Sequence, residues 1–169
     1  MPIFLLCIKA ELENVGSLRL KEGASFCFDV QEGGGSEVRK NIHVSPLEEH
    51  ELSGSKGSAH YVMKFDKGSR REATISVIDV KGVAPGALTA EDAEKRKFAP
   101  IAAFECRGLE LIGYRPEGDW IVQAANSKTK WEDVDLSEGE WTEYDEKAPG
   151  GGESVGIFNI SHEFRLTKV

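Results

Sequence analysis

Positive charge is scarce in this chain. Its 169 residues carry 21 Lys and Arg against 29 Asp and Glu, a net charge of −8. No Lys/Arg cluster is interleaved with aromatic residues. Binding nucleic acid needs concentrated positive charge, and so does binding an anionic membrane surface; neither partner is expected. Long apolar runs are also missing, and no stretch approaches the roughly 20 residues that span a bilayer. The first residues, MPIFLLCIKAELEN, lack the basic start of a secretory signal, and Glu11 and Glu13 interrupt their apolar run. They also lack the Arg-rich character of a mitochondrial presequence. Cysteine is sparse: Cys7, Cys27 and Cys106 are odd in number and widely spaced. This usage predicts free, buried thiols in a reducing compartment, and a cytoplasmic location is expected.

Helix signal is scarce as well. The best case is TAEDAEKRK, Thr89 to Lys97, where Thr89 and Asp92 have the spacing of a capping box. What is present is strand. From Phe4 the chain alternates Phe4, Leu6, Ile8, Ala10, Leu12, the two-residue period of a half-buried strand. Further candidates are Ser25 to Val30, Lys40 to Val44, Ala59 to Phe65, Thr74 to Asp79, Ile101 to Gly108, Trp120 to Ala124 and Gly156 to Leu166. Gly, Ser, Asp and Pro clusters separate them.

The chain also resembles itself. AELENVGSLRLKEGASFCF (Ala10 to Phe28) aligns with FECRGLELIGYRPEGDWIV (Phe104 to Val122). In that alignment Leu12 meets Cys106, Val15 meets Leu109, Leu18 meets Ile112 and Leu20 meets Tyr114. NIHVSPLEEHEL (Asn41 to Leu52) follows the pattern of DVDLSEGEWTEY (Asp133 to Tyr144). The reading is an all-β fold of two similar antiparallel halves related by a pseudo-two-fold axis, with little helix. Residues 1–88 form the first half, 89–100 a linker with a short helix, and 101–169 the second half.

Few residues suggest chemistry. Cys106 with His162 has the types of a nucleophile and base, and Arg107 would favour a thiolate. Cys106 alternates with Phe104 and aligns with Leu12, so a buried thiol is the simpler reading. The segment Trp131 to Glu146 carries eight acids and no base, interleaved with Trp131, Trp141 and Tyr144. Its aromatics either pack inward beneath a solvated acidic face or anchor a basic partner. In the second case Trp131, Trp141, Tyr144, Asp145 and Glu146 form the contact. The glycines at Gly33 to Gly35 and Gly150 to Gly152 are not followed by GK[ST], so they read as hairpin or loop glycines. His43, His50 and His60 read as surface or sheet-edge residues.

Four stretches carry a resemblance: ELENVGSL (Glu11 to Leu18), AFECRGLE (Ala103 to Glu110), DLSEGEWTEYDEKA (Asp135 to Ala148) and ESVGIFNISHEF (Glu153 to Phe164). They resemble the CXXC-motif-containing zinc-binding proteins, a eukaryotic family of unknown function. The resemblance implies two β halves, a zinc site of two CxxC pairs near a possible ligand cavity, and a suggested link to mitochondrial respiration. It places the first pair on Glu32 and Gly35 and the second on Phe65 and Gly68. None of these is cysteine. No bound metal or other cofactor is therefore expected. Phe65 suggests apolar packing in place of the metal, because burying such a ring contributes roughly 1.5–3 kcal/mol. The implied cavity is bordered by Glu32, Phe65, Glu105 and Arg107.

These readings point to a monomeric, non-catalytic protein that binds a small molecule or another protein. The rivals are an enzyme or redox protein using Cys106, and an adaptor using the acidic segment. A strong chelator is expected to leave the thermal unfolding midpoint of the purified protein unchanged; a chelator that unfolds it would overturn the metal-free reading.

Overall fold

The computed structural model describes residues 2–53, 57–66, 68 and 71–167. Strands dominate them. In chain order they are β1 (Ile3–Glu13), β2 (Val15–Leu20), β3 (Phe26–Glu32), β4 (Val38–Val44), β5 (His50–Glu51), β6 (Ser58–Ala59), β7 (Tyr61–Met63), β8 (Ala73–Ile78) and β9 (Ala87–Thr89). Helix α1 (Ala90–Glu94) follows, then β10 (Ala99–Arg107), β11 (Leu109–Arg115), β12 (Trp120–Ala124), β13 (Lys130–Val134), β14 (Trp141–Asp145) and β15 (Glu153–Thr167). The fold is all-β and its strand pairs are antiparallel. The capping box forms as expected: the Thr89 side chain accepts from the Asp92 backbone and the Asp92 carboxylate accepts from the Thr89 backbone. Among the described residues no helix is long and apolar enough to cross a membrane.

Two long strands organise the molecule. β1 and β10 pair at the centre of a six-stranded sheet ordered β14-β15-β1-β10-β8-β7. Each carries an almost unbroken apolar run, because both of its faces are covered. On one face Leu6, Ile8, Phe104 and Cys106 join the main core. On the other, Ile3, Leu5, Cys7 and Ala103 form a smaller cluster against Ala84, Ile78 and Phe98. The side-chain period of two divides the residues between the faces.

The strands that follow cross over. β2 pairs with β12, in a four-stranded sheet ordered β13-β12-β2-β9. β11 pairs with β3, in a three-stranded sheet ordered β11-β3-β4. Each of these two sheets thus combines strands from before and after α1, whereas the small β5-β6 pair lies wholly before it. Some residues aligned in the sequence fall at matching places, but Leu18 is fully buried where its aligned partner Ile112 is 45% exposed. Val15 opens β2 and Leu109 opens β11. Asn41 in β4 and Asp133 in β13 both take a left-handed backbone, with φ of 56° and 57°.

The sequence missed β2 and β11 because each follows a long strand after a single residue, Asn14 or Gly108. Both of these have positive φ, so the chain turns a corner without a loop. The expected strand Ala59 to Phe65 is broken into β6 and β7, and Phe65 lies beyond β7. The sheets meet through aromatic rings. Phe104 on β10 stands edge-on to Phe26 at 4.8 Å and to Phe28 at 4.9 Å, both on β3. Phe104→Ala is expected to cost about 3–5 kcal/mol, read as a lowered urea midpoint with unchanged slope. A loss under about 1 kcal/mol would mean that this contact does not tie the sheets together.

Candidate functional site

The residues proposed to border one cavity occupy two neighbouring places. The first is a corner where the β3–β4 hairpin meets the turn between β10 and β11. Glu32, at the end of β3, pairs with Leu109. The Gly33 amide donates to the Gly108 carbonyl at 3.0 Å. A Cβ on Gly33 would stand 3.1 Å from the Gly108 carbonyl carbon, so glycine lets the two backbones touch. Arg107 is exposed beside this contact. Here a shallow, largely open groove of about 770 Å³ is bordered by residues that include Pro2, Phe4, Gly33, Arg107, Leu109 and Leu166. Arg107 lines it and Glu32 adjoins it through Gly33. Phe65 and Glu105 are not among its walls. Glu105 sits half-buried within β10, between Ile3 on β1 and Ser76 on β8.

The second place is built on Phe65. Its ring is 9% exposed and belongs to the main core. The Arg39 guanidinium, on β4, lies over that ring at 5.6 Å from the centroid. Arg39 also donates to the Phe65 carbonyl at 3.0 Å and pairs with Glu37 at 2.7 Å. One arginine therefore joins the segment after β7 to the β3–β4 hairpin.

The acidic segment is more occupied than its sequence suggests. Trp131 on β13 and Trp141 on β14 meet edge-on at 5.3 Å, half-buried and packed against the core. Tyr144 is 51% exposed, and its hydroxyl donates to the Gly151 carbonyl at 3.1 Å. Glu146 is exposed. Asp145 is buried: its carboxylate accepts from the hydroxyls of Ser127 (2.6 Å) and Thr129 (2.8 Å) and from the Lys147 amide (3.1 Å). It anchors two loops and is not presented to a partner.

Cys106 is fully buried. Burial pushes its thiol up to about 12, with the Glu105 charge adding to the shift, so it carries a proton at neutral pH. His162 packs edge-on against Tyr114 (5.9 Å) and Phe164 (5.7 Å). A protonated core thiol is not an activated nucleophile. Cys7 and Cys27 are buried and free as well. Two features were not foreseen from the sequence. One is a second hollow of about 690 Å³, bordered by residues that include Arg19, Glu22, Phe26, Val77 and Ile101. The other is the convergence of Cys27, His43 and Glu117, whose donor atoms lie within 4.8 Å of one another.

The chain matches known proteins over nearly its whole length. A family model described as "CXXC motif containing zinc binding protein, eukaryotic" matches residues 5–165. The chain belongs to that family. The mouse protein called CXXC motif containing zinc binding protein is 37% identical over 161 residues, covering 94% of this chain and 95% of its own. A UPF0587 protein of Schizosaccharomyces pombe is 35% identical over 171 residues, covering 99% of each. Two solved structures share the fold. The crystal structure of C1orf123 superposes with a TM-score of 0.83 at 32% identity, covering 98% of this chain and 99% of that one. A hypothetical protein from Plasmodium falciparum superposes with a TM-score of 0.84 at 28% identity, covering 98% and 100%.

Zinc is the group implied by the family's description, and the four positions assigned to it here do not fit it. Gly35, Phe65 and Gly68 offer no ligand atom. The Glu32 carboxylate fills the space that any side chain on Gly35 would need. A permanent guanidinium charge stands over Phe65. A closed tetrahedral site needs four donors, and these positions supply one carboxylate.

Asp145 gives the acidic segment a measurable signature. The Ser127 hydrogen bond holds its carboxyl below the ordinary 3.8; Thr129, the Lys147 amide and the Lys147 charge also contribute. A lowered folded value adds stability that is fully present above the unfolded value. That stability is lost as pH falls through the folded one. Asp145→Asn is expected to lower the melting temperature at neutral pH and to flatten the further fall below about pH 4, followed by circular dichroism. Parallel pH profiles for the two proteins would contradict this account.

Proposed function

We propose that this chain is a non-catalytic binding protein that has dispensed with the family's zinc and holds a small, largely apolar organic ligand. The groove beside the Gly33–Gly108 contact carries the reading. Its volume of about 770 Å³ lies within the range of small-molecule sites, roughly 300–1,000 Å³. Phe4, Leu109 and Leu166 give it apolar walls, and Arg107 and Glu110 give it a polar edge. Leu166 is 66% exposed there, an apolar side chain in water that a ligand would cover. The absence of an activated nucleophile at Cys106 favours binding over catalysis. The acidic segment supports a partner-docking role less well, because its tryptophans pack on each other and Asp145 is buried.

Loss of zinc from the positions aligned with the family's CxxC pairs is supported by what stands there. Arg39 links the two hairpins through a ring, a carbonyl and Glu37, and Phe65 contributes to the core. The halves descend from one duplicated unit in this reading, supported by the matching left-handed residues and the exchanged strands. Three free, buried thiols favour a reducing, cytoplasmic setting.

Native mass spectrometry of the protein from its own cells is expected to show an organic mass above that of the chain. With an apolar fluorescent dye as the probe, saturable binding is expected, weakened about tenfold or more in Leu166→Lys. That variant changes an exposed residue and should fold normally. Dye binding unchanged in Leu166→Lys, with no organic mass in the native spectrum, would overturn the groove as the site.

A further inference from the structure

The three-stranded sheet carries a second constellation, made from residues of three chain segments. Cys27 lies on the middle strand, β3. His43, on β4, is its direct cross-strand partner. Arg115, on β11, is its partner on the other side. Glu117 follows β11 by two residues and returns over the same place. The His43 Nε2 and a Glu117 carboxylate oxygen stand 3.4 Å apart. The Cys27 thiol joins them, so that all three donor atoms lie within 4.8 Å of one another. Cys27 is only 4% exposed, whereas His43 and Glu117 are accessible to solvent.

We propose that Cys27, His43 and Glu117 form a three-ligand site for a borderline-soft divalent cation of the Zn²⁺ type, with a fourth position open to water or a ligand. The donor types carry this choice. Sulfur and imidazole favour zinc-like ions over magnesium or calcium, which take oxygen ligands. Three protein donors and one open position is a common zinc arrangement. The spacing agrees: ligands at 2.0–2.3 Å on a tetrahedral ion stand roughly 3.3–3.7 Å apart. The His43–Glu117 pair already has that separation. The sulfur lies within 4.8 Å of both, so His43 and Glu117, the accessible members, would have to draw in toward it as the ion binds.

Charge also balances. A Cys27 thiolate and the Glu117 carboxylate bring two negative charges to meet two positive ones, and the thiol proton leaves to solvent as the metal binds. Arg115, the nearby cation, pairs with Asp29 at 2.5 Å and also reaches the Cys27 sulfur, a contact that the metal must displace. The Asn41 side-chain oxygen stands 4.0 Å from the Cys27 sulfur. Turning that amide would offer a donor to the thiolate, an outer contact of the kind that orients metal ligands. The site is distinct from the positions aligned with the family's CxxC pairs. It lies five residues along β3 from Glu32, roughly 16 Å at strand rise.

Cobalt titration of the whole, chelator-stripped chain tests this. The wild type is expected to bind one Co²⁺, show a sulfur-to-cobalt charge-transfer band, and lose it to added Zn²⁺. Cys27→Ser should abolish the band. His43→Ala and Glu117→Gln, at accessible positions where folding is not at stake, should each weaken binding at least about tenfold. His50→Ala, which alters another exposed histidine, should leave binding unchanged. No charge-transfer band in the wild type would overturn the proposal, as would a band retained in Cys27→Ser or unaltered affinity in His43→Ala.

Discussion

Everything in this fold hangs on the pairing of β1 with β10. This ladder joins the chain before α1 to the chain after it at the centre of the largest sheet, with apolar clusters on both faces. An edge or half-solvated strand tolerates polar residues on one side. These two do not, and Leu5, Leu6, Cys7, Ile8, Ile101, Ala102, Ala103 and Phe104 leave no room for one. A strand with two buried faces fixes its neighbours on both. β15 and β8 complete the ladder on either side, and the aromatic rings of β3 sit on the face below. The groove and the degenerate hairpins lie at the end of this pair, where Arg107 closes β10. Their geometry is inherited from the central ladder.

That inheritance bears on how the fold holds two hairpins whose four aligned positions carry no cysteine. A structural metal matters most where little else orders the chain. Here the β3–β4 hairpin is held from one side by β11, and Phe65 is held by the core. What remains is to fasten the two hairpin segments to each other. A guanidinium over an aromatic ring contributes about 0.5–2 kcal/mol, far less than a tetrathiolate zinc site. It also has virtues the metal lacks: it is always charged, releases no proton on forming, and needs no metal supply.

Much of the architecture was legible because two-faced strands and capped helices leave local marks. Leu6 and Ile8 alternate, and Thr89 and Asp92 stand at capping distance; both formed as read. β2 and β11 were not legible, since a corner made by one residue, Asn14 or Gly108, leaves no loop to see. The sequence reading set Glu32, Phe65, Glu105 and Arg107 around one cavity, whereas only Arg107 lines the groove; sequence cannot say which residues face one hollow. Asp145 read as one more surface acid; only the loop bearing Ser127 and Thr129, folded against it, reveals a buried anchor. Cys27 and His43 were each visible, and a hairpin turning at Gly33 to Gly35 brings them opposite. Glu117 comes from a strand paired across the sheet, and no local pattern announces that.

The crossing of β2 and β11 has a consequence for how the chain can be divided. The three- and four-stranded sheets each need a strand from the other side of α1, so a fragment ending near residue 90 would expose unpaired edges at β1, β2 and β3. Neither piece is a domain in the sense of a unit that closes its own hydrogen bonds. The tether at α1 keeps the two pieces at a fixed effective concentration. Severed there, the pieces would be complementary fragments, each the other's template.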